Sequence, residues 1–181
     1  MRLTDYDTAH EAIVGLCEEF LDIDALLADS RCVDPAETPA PYRELLVHNE
    51  HMTTKLAAFH GAAVELRVLG ERLGAGSYNR EIALALPGGD VVEFGAVRVR
   101  FQHVPDDVRA EILARQTPLG DILIRHDVLR RIEPRWFVRF GPGSSVLGYF
   151  AAGTGEAYGR IGTIYCDGEP AIELLEVVVA P

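Results

Sequence analysis

The stretch SYNREIALALPGGDVVEFGAVRVRF, residues 77–101, contains two runs that alternate with a period of two on either side of a Pro-Gly-Gly-Asp segment. This period places successive side chains on opposite faces of a β-strand. A glycine-rich tetrapeptide between two such runs indicates a tight turn. The stretch therefore predicts a β-hairpin. The preceding run AAVELRVLG, residues 62–70, alternates in the same way, so we expect three consecutive antiparallel strands.

Two helical patterns precede these strands. The first predicts one amphipathic helix over residues 8–28, with an apolar face formed by Ile13, Leu16, Phe20, Ile23 and Leu27. Residues 29–41 contain three prolines and no period, so we expect a connection there. A second helix is predicted over residues 42–59 and should end at Gly61. Its inward-facing residues should be Leu45, Leu46, Met52 and Leu56.

The remaining residues add two helical segments and three further strands. The spacing predicts a short helix at 105–116, and a turn followed by a helical segment at 117–127. A strand interrupted by Pro134 follows at 128–140, and a terminal hairpin at 158–180 turns at Asp-Gly-Glu-Pro. Helices at the start, an antiparallel meander and a closing hairpin predict an α+β fold, in which helices cover an antiparallel β-sheet.

Composition and charge limit the classes of function. The chain has 181 residues, 48% of them hydrophobic, which suits a single domain over residues 1–181. Its net charge of −11 leads us to expect no nucleic-acid partner. Three cysteines without CxxC spacing favour a reducing, cytoplasmic location. No apolar run approaches the roughly 20 residues of a membrane helix, and the polar start is unlike a signal peptide, so we expect no membrane association.

Arg80 is the first candidate for a binding residue. In the predicted strand it shares a face with Tyr78, Ile82, Leu84 and Leu86, so its guanidinium points toward apolar neighbours. A guanidinium stays charged in proteins and requires an anionic partner when it is buried. That partner is either a protein carboxylate or the carboxylate of a bound ligand, and the strand pattern leaves both open.

Two glutamates interrupt the apolar run AIELLEVVVA, residues 171–180. Glu173 and Glu176 lie on opposite faces of the predicted strand, and the period alone does not choose between them. Glu176 lies deeper in the run, so we expect stronger desolvation and a raised pKa at this residue. A buried glutamate beside a buried arginine indicates either a structural ion pair or two ends of a binding site for a small acid.

His48 and His51 are one helical turn apart, which is the spacing of one edge of a metal site. A zinc site requires a third or fourth ligand in a defined geometry, and the other histidines are scattered along the chain without motif spacing. We therefore expect solvent-facing helix histidines and no bound metal.

Four short stretches, in order, resemble the chorismate lyase (chorismate pyruvate-lyase) family from about residue 42 onward. HMTTKLAAFHG at 51–61 resembles the family's helix with a Met-Thr pair, and NREIALAL at 79–86 resembles the strand with its ligand-binding arginine. QTPLGDILI at 116–124 resembles its Thr-Pro-Leu-Gly turn, and GRIGTIYCDGEPAIELLEVVVAP at 159–181 resembles its terminal hairpin. Glu176 is offset by one residue from the family's glutamate, so Glu173 remains the alternative. Residues 1–40 do not match.

The resemblance implies a chorismate lyase-like fold and a carbon–oxygen lyase that eliminates pyruvate from chorismate to give 4-hydroxybenzoate, without metal or organic cofactor. Carried over to this chain, Arg80 would bind the ring carboxylate. Glu176 would be the second catalytic residue, meeting the oxygen at the opposite end of the ring and, if protonated, donating to the departing ether oxygen. The backbone amides of Met52 and Leu119 would help to hold the substrate.

Two other classes of function stay open. One is an enzyme of the same fold acting on another small carboxylic acid or specialised metabolite. The other is non-catalytic, because this fold also serves as the effector-binding domain of helix-turn-helix regulators. Residues 1–40 are acidic and too few for a winged helix-turn-helix, so the non-catalytic alternative is a free-standing small-acid binding protein. The sequence makes no prediction of the oligomeric state.

Overall fold

The computed structural model describes residues 6–180, which contain a seven-stranded antiparallel sheet. The strands are β1 (Ser30–Val33), β2 (Glu65–Leu73), β3 (Ser77–Ala85), β4 (Val91–Arg100), β5 (Arg130–Phe140), β6 (Ala157–Cys166) and β7 (Glu169–Val178). Their order across the sheet is β1-β5-β6-β7-β4-β3-β2, so β7 is central. The predicted fold class, an α+β fold with an antiparallel sheet covered by helices, is confirmed.

The described helices pack on both faces of this sheet. They are α1 (Ala9–Cys17), α2 (Ile23–Leu27), α3 (Tyr42–Leu46), α4 (Met52–His60), α5 (Asp106–Ala114) and α6 (Leu119–Arg125), with short 3₁₀ helices at Pro35–Glu37, Phe101–His103 and Ser145–Tyr149. One face packs against α1 and the last 3₁₀ helix, and the other packs against α3 to α6. Among residues 6–180, no helix has both the length and the hydropathy that a bilayer crossing requires.

The predicted meander of β2, β3 and β4 is confirmed. The amide of Leu86 donates to the carbonyl of Asp90, and the amide of Gly89 donates to the carbonyl of Leu86, both at 2.8 Å. Gly89 has a φ of 100°, which a residue with a Cβ rarely adopts. The predicted terminal hairpin is also present, and it turns at Asp167 and Gly168, which both have positive φ as a two-residue hairpin requires.

The prediction of one helix over residues 8–28 is wrong in one respect, because the structure has two helices there. Thr8 and Glu11 form a capping box that starts α1, and α1 ends at Cys17. The carboxylate of Asp22 accepts a hydrogen bond from the amide of Ala25 at 3.1 Å and starts α2 separately. A local capping residue therefore interrupts a pattern that the apolar spacing alone describes as continuous.

The second predicted helix is also divided. It begins at Tyr42 and ends at Gly61, as predicted, but residues 47–51 are not helical. The side chain of Arg160, from β6, accounts for the break, because it binds the backbone carbonyls of His48 and Glu50, which a continuous helix would use internally. A long-range contact thus sets the start of α4.

Two features of the sheet edge differ from the predictions. The strand β1 lies within residues 29–41, which we expected to be a connection, and it pairs with the end of β5. Pro134 does not end β5; the strand continues past it with a register shift between Pro134 and Trp136. Within residues 6–180, β1 pairs with residues 137–140 and no strand pairs with Pro134 on that side of β5, and an edge position of this kind tolerates proline.

Candidate functional site

A small cavity lies between the sheet and the N-terminal ends of α4 and α6. Its walls are largely apolar and include Leu66, Ile82, Leu84, Val97, Ile164 and Leu174. About 50 Å³ of it is open to the centre of a water-sized sphere. A single water requires about 10–15 Å³ by this measure, so the cavity has room for about three to five waters or one small molecule.

The four residues that the sequence analysis selected all line this cavity. Arg80 is on β3, Glu176 is on β7, and Met52 and Leu119 are the first residues of α4 and α6. The alternative glutamate, Glu173, lies on the opposite face of the sheet. There it forms ion pairs with Arg98 at 3.4 Å and Arg100 at 3.2 Å.

Arg80 is buried in the cavity wall without a compensating ion pair among residues 6–180. Its side chain is 1% exposed, and neither Nε nor Nη1 has a hydrogen-bond partner in the part of the chain that the structure describes. Burial lowers its pKa, and the neighbouring Tyr78 and Glu71 oppose this effect. Glu71 is already engaged, because it accepts hydrogen bonds from the Tyr78 hydroxyl at 2.7 Å and from Arg115 at 2.6 Å. Two donors of the guanidinium, Nε and Nη1, therefore stay unpartnered in the cavity wall among residues 6–180.

Glu176 forms a buried ion pair with Arg160. The two residues face each other across β6 and β7, and Nε of Arg160 donates to Oε2 of Glu176 at 2.5 Å. Arg160 is 1% exposed. An adjacent guanidinium favours the ionised form of a carboxyl group, and an ionised carboxylate accepts hydrogen bonds but has no proton to donate. The cross-strand partner of Glu176 is thus a cation, and the expected protonated state of Glu176 stays a prediction.

Arg160 also connects this ion pair to the segment before α4. Nη1 donates to the carbonyl of His48 at 2.9 Å, and Nη2 donates to the carbonyl of Glu50 at 3.1 Å. A longer bond of 3.4 Å reaches the carbonyl of Leu46. Charged donors bind carbonyls more strongly than neutral donors do. One side chain thus holds both the carboxylate of Glu176 and the backbone that precedes the first turn of α4.

Glu93, on β4, is a second carboxyl group in the cavity, and the sequence analysis missed it. It is 3% exposed, and its Oε2 has no hydrogen-bond partner among the described residues. Burial raises its pKa well above the ordinary range, the charge of Glu176 raises it further, and Arg160 opposes both. The missed signal was a glutamate within an apolar strand run, VVEFGAV, the same signal that selected Glu176.

The N-terminal ends of α4 and α6 lie close together at the cavity. His51 and Pro118 precede the two helices, and neither provides a side-chain cap. The first amides of a helix have no partner inside it, and they carry a partial positive charge. Gly120 permits the close approach, because a Cβ at this position would lie 3.0 Å from the Cβ of His51 and 3.0 Å from Oγ1 of Thr53. The cavity is thus lined by amide donors as well as by Arg80.

The two histidines are half-buried or buried rather than solvent-facing, which corrects the sequence-based expectation. Nε2 of His48 donates to the carbonyl of Leu45 at 2.6 Å, and Nε2 of His51 accepts from Nε of Arg130 at 2.6 Å. Burial, followed by the nearby arginines, lowers the pKa of each to about 4. Within residues 6–180, no group of three or more metal-ligating side chains is arranged to hold an ion.

No family model matches the chain, and no curated protein matches it. Among solved structures, the effector domain of PhnF from Mycobacterium smegmatis is similar, with 13% identity and a TM-score of 0.48 over 72% of this chain and 89% of that one. The possible transcriptional regulator YydK from Bacillus subtilis is also similar, with 7% identity and a TM-score of 0.43. That similarity covers 64% of this chain and 57% of the YydK chain.

Neither structure is described as a lyase; one is an effector domain and the other a possible transcriptional regulator. The prediction that this chain is a carbon–oxygen lyase acting on chorismate is contradicted by this finding and is corrected. Glu176, the predicted proton donor, forms an ion pair with Arg160. The expectation of no nucleic-acid partner stays a prediction.

Proposed function

We propose that this chain is a non-catalytic protein that binds a small carboxylic acid, and that Arg80 binds the carboxylate. The observation that carries this proposal is the buried guanidinium of Arg80, with two nitrogen atoms that lack a partner among residues 6–180. An uncompensated buried cation costs several kcal/mol. A ligand anion that pairs with Arg80 would recover much of this cost on binding.

A carboxylate fits the donors around the cavity. Its two oxygens match the planar guanidinium of Arg80, which has no acceptor atoms and cannot lose its charge. The uncapped amides at Met52 and Leu119 would add further donors, as the resemblance implied. Glu176 would lie at the other end of the ligand and accept a hydrogen bond from a hydroxyl group there. The residues that bind the ligand would therefore be Arg80, Met52, Leu119 and Glu176.

The size of the cavity limits the ligand to a small molecule. Its 50 Å³ corresponds to about three to five water positions, or about 90–150 Å³ of liquid water. A benzene ring occupies an engineered cavity of about 150 Å³. Apolar walls with a few polar groups are typical of sites for such ligands. We therefore expect an acid of one ring or an equivalent short chain.

Thermal unfolding with benzoate or 4-hydroxybenzoate tests the proposal. A ligand that binds only the folded protein stabilises it, and an excess of 100 times Kd should raise Tm by about 5–10 °C. The variant Arg80→Met should lose this shift. Arg67→Met is the matched control, because Arg67 is an exposed arginine on β2 that does not line the cavity. If Arg80→Met keeps the full shift, or if neither acid produces one in the wild type, the proposal is wrong.

Incubation with chorismate tests the non-catalytic part of the proposal. The purified chain should release no pyruvate beyond the protein-free reaction. Pyruvate and 4-hydroxybenzoate formed in equal amounts, and lost together in Glu176→Gln, would contradict a non-catalytic function.

A further inference from the structure

Glu93 is a buried carboxyl group that shares the cavity with Arg80 but has no partner for its Oε2 among the described residues. The nearby cation, Arg160, is occupied elsewhere. Its Nε binds Glu176, and its two terminal nitrogens bind the carbonyls of His48 and Glu50. A buried polar atom without a partner is destabilising, so a side chain kept in this state points to a ligand that completes its hydrogen bonding.

The net charge of the groups around the cavity depends on whether Glu93 is ionised. Arg160 and Glu176 cancel each other in their ion pair, and His51 is neutral above a pH of about 4. With Glu93 uncharged, the cavity keeps one uncompensated positive charge, on Arg80. With Glu93 ionised, the sum is zero, and two carboxylates share one wall. Burial and the charge of Glu176 both favour the uncharged form of Glu93.

We propose that Glu93 is a specificity-determining residue, which donates a hydrogen bond from its neutral carboxyl group to an oxygen of the bound acid away from the ligand's own carboxylate. This inference rests on the proposed function, because it requires a carboxylate held by Arg80. The inference also specifies the chemical class of the ligand. The ligand is a monocarboxylic acid with a separate neutral acceptor oxygen, and a dicarboxylate is excluded by the single uncompensated charge.

The same arrangement makes binding dependent on pH. As pH rises, ionisation of Glu93 removes the donor and places a second negative charge beside Glu176. The charged groups that act on it are Glu176 on β7 and Arg160 on β6. Arg80 on β3 and His51 before α4 line the same cavity. His51 stays neutral and the arginines stay charged over this range. Affinity for the acid should therefore fall as pH rises through the ionisation of Glu93.

Calorimetric titration with benzoate and with 3- and 4-formylbenzoate tests the proposal. The aldehyde oxygen accepts a hydrogen bond but does not donate one, so it responds to Glu93 and not to the carboxylate of Glu176. The wild type should bind one of the formyl isomers roughly tenfold more tightly than benzoate, the value of about one hydrogen bond. Glu93→Leu should reduce this ratio to about one. Glu93→Gln, whose amide still donates, should keep the preference and lose the pH dependence.

Two further measurements separate the possible failures. Glu133→Gln, an exposed glutamate on β5, is the control and should keep the wild-type ratio and its pH dependence. The infrared carbonyl stretch of a protonated carboxyl group should be present in the wild type and lost in Glu93→Gln.

If benzoate binds through Arg80 but Glu93→Leu keeps the preference for the formyl acids, this inference alone is wrong. If no acid binds the wild type, the proposed function fails, and this inference fails with it.

Discussion

Arg160 and Glu176 form an ion pair across the two central strands β6 and β7, with 2.5 Å between Nε and Oε2, and both side chains are buried. The same guanidinium binds the carbonyls of His48 and Glu50. Arg160 therefore holds the carboxylate of Glu176 and sets the point at which α4 begins. Glu176 and the first turn of α4 line the same cavity, so one side chain supports two of its walls.

Removing Arg160 should destabilise the protein strongly. Arg160→Met leaves Glu176 buried without its cation and frees the carbonyls before α4, so we expect a loss of about 3–5 kcal/mol in the free energy of unfolding. Urea unfolding measures this loss. The double variant Arg160→Met/Glu176→Leu should recover part of it, because no charge is then left uncompensated. Equal stability of the single variant and the wild type would contradict the role assigned to Arg160.

Arg80 should behave in the opposite way. Its guanidinium has no ion-pair partner among residues 6–180, so Arg80→Met replaces an uncompensated buried charge with an apolar side chain. We expect the free energy of unfolding without ligand to increase by about 1–4 kcal/mol, while carboxylate binding is lost. Calorimetric unfolding with and without benzoate measures both effects. A variant that is less stable than the wild type would indicate that Arg80 has a structural partner.

Stability should fall as pH decreases from 6.5 toward 4. The pKa values of His48 and His51 are lowered to about 4 in the folded protein, whereas the unfolded chain takes up these protons near 6.5. The unfolded state therefore binds more protons in this window, and each histidine adds a slope of up to about 1.4 kcal/mol per pH unit. Urea unfolding at several pH values measures the slope. The double variant His48→Gln/His51→Gln should flatten it, and an unchanged slope would show that other groups cause it.

Gly120 should be sensitive to the addition of one methyl group. In Gly120→Ala the new Cβ would lie 3.0 Å from His51 and Thr53, so α6 must move away from the start of α4. We expect a loss of about 1–3 kcal/mol in stability and weaker binding of benzoate. Gly148→Ala is the control, because no atom lies within 4 Å of a Cβ at that position. Similar effects in both variants would exclude a specific contact between the two helix ends.

Several parts of this protein could be predicted from the sequence because they depend on local pattern. Alternation with a period of two predicted the meander of β2, β3 and β4, and the glycines at 88–89 predicted its turn. The same alternation assigned Arg80 to the face of β3 that carries Ile82 and Leu84, and all three line the cavity. Strand period and turn residues are local properties, so they need no knowledge of distant contacts.

The tertiary structure alone decided which charges meet. Arg160 and Glu176 are adjacent because the terminal hairpin sets their register, and no pattern within either strand shows that one compensates the other. Arg160 also interrupts the helical pattern at 47–51, more than 100 residues away along the chain. Within the described part of the chain, Oε2 of Glu93 has no hydrogen-bond partner, and the nearby guanidinium is already occupied. The sequence by itself determined six of the seven described strands and the face that carries Arg80. The partner of each buried charge depended on packing between strands, because burial and ion pairing are properties of the assembled sheet.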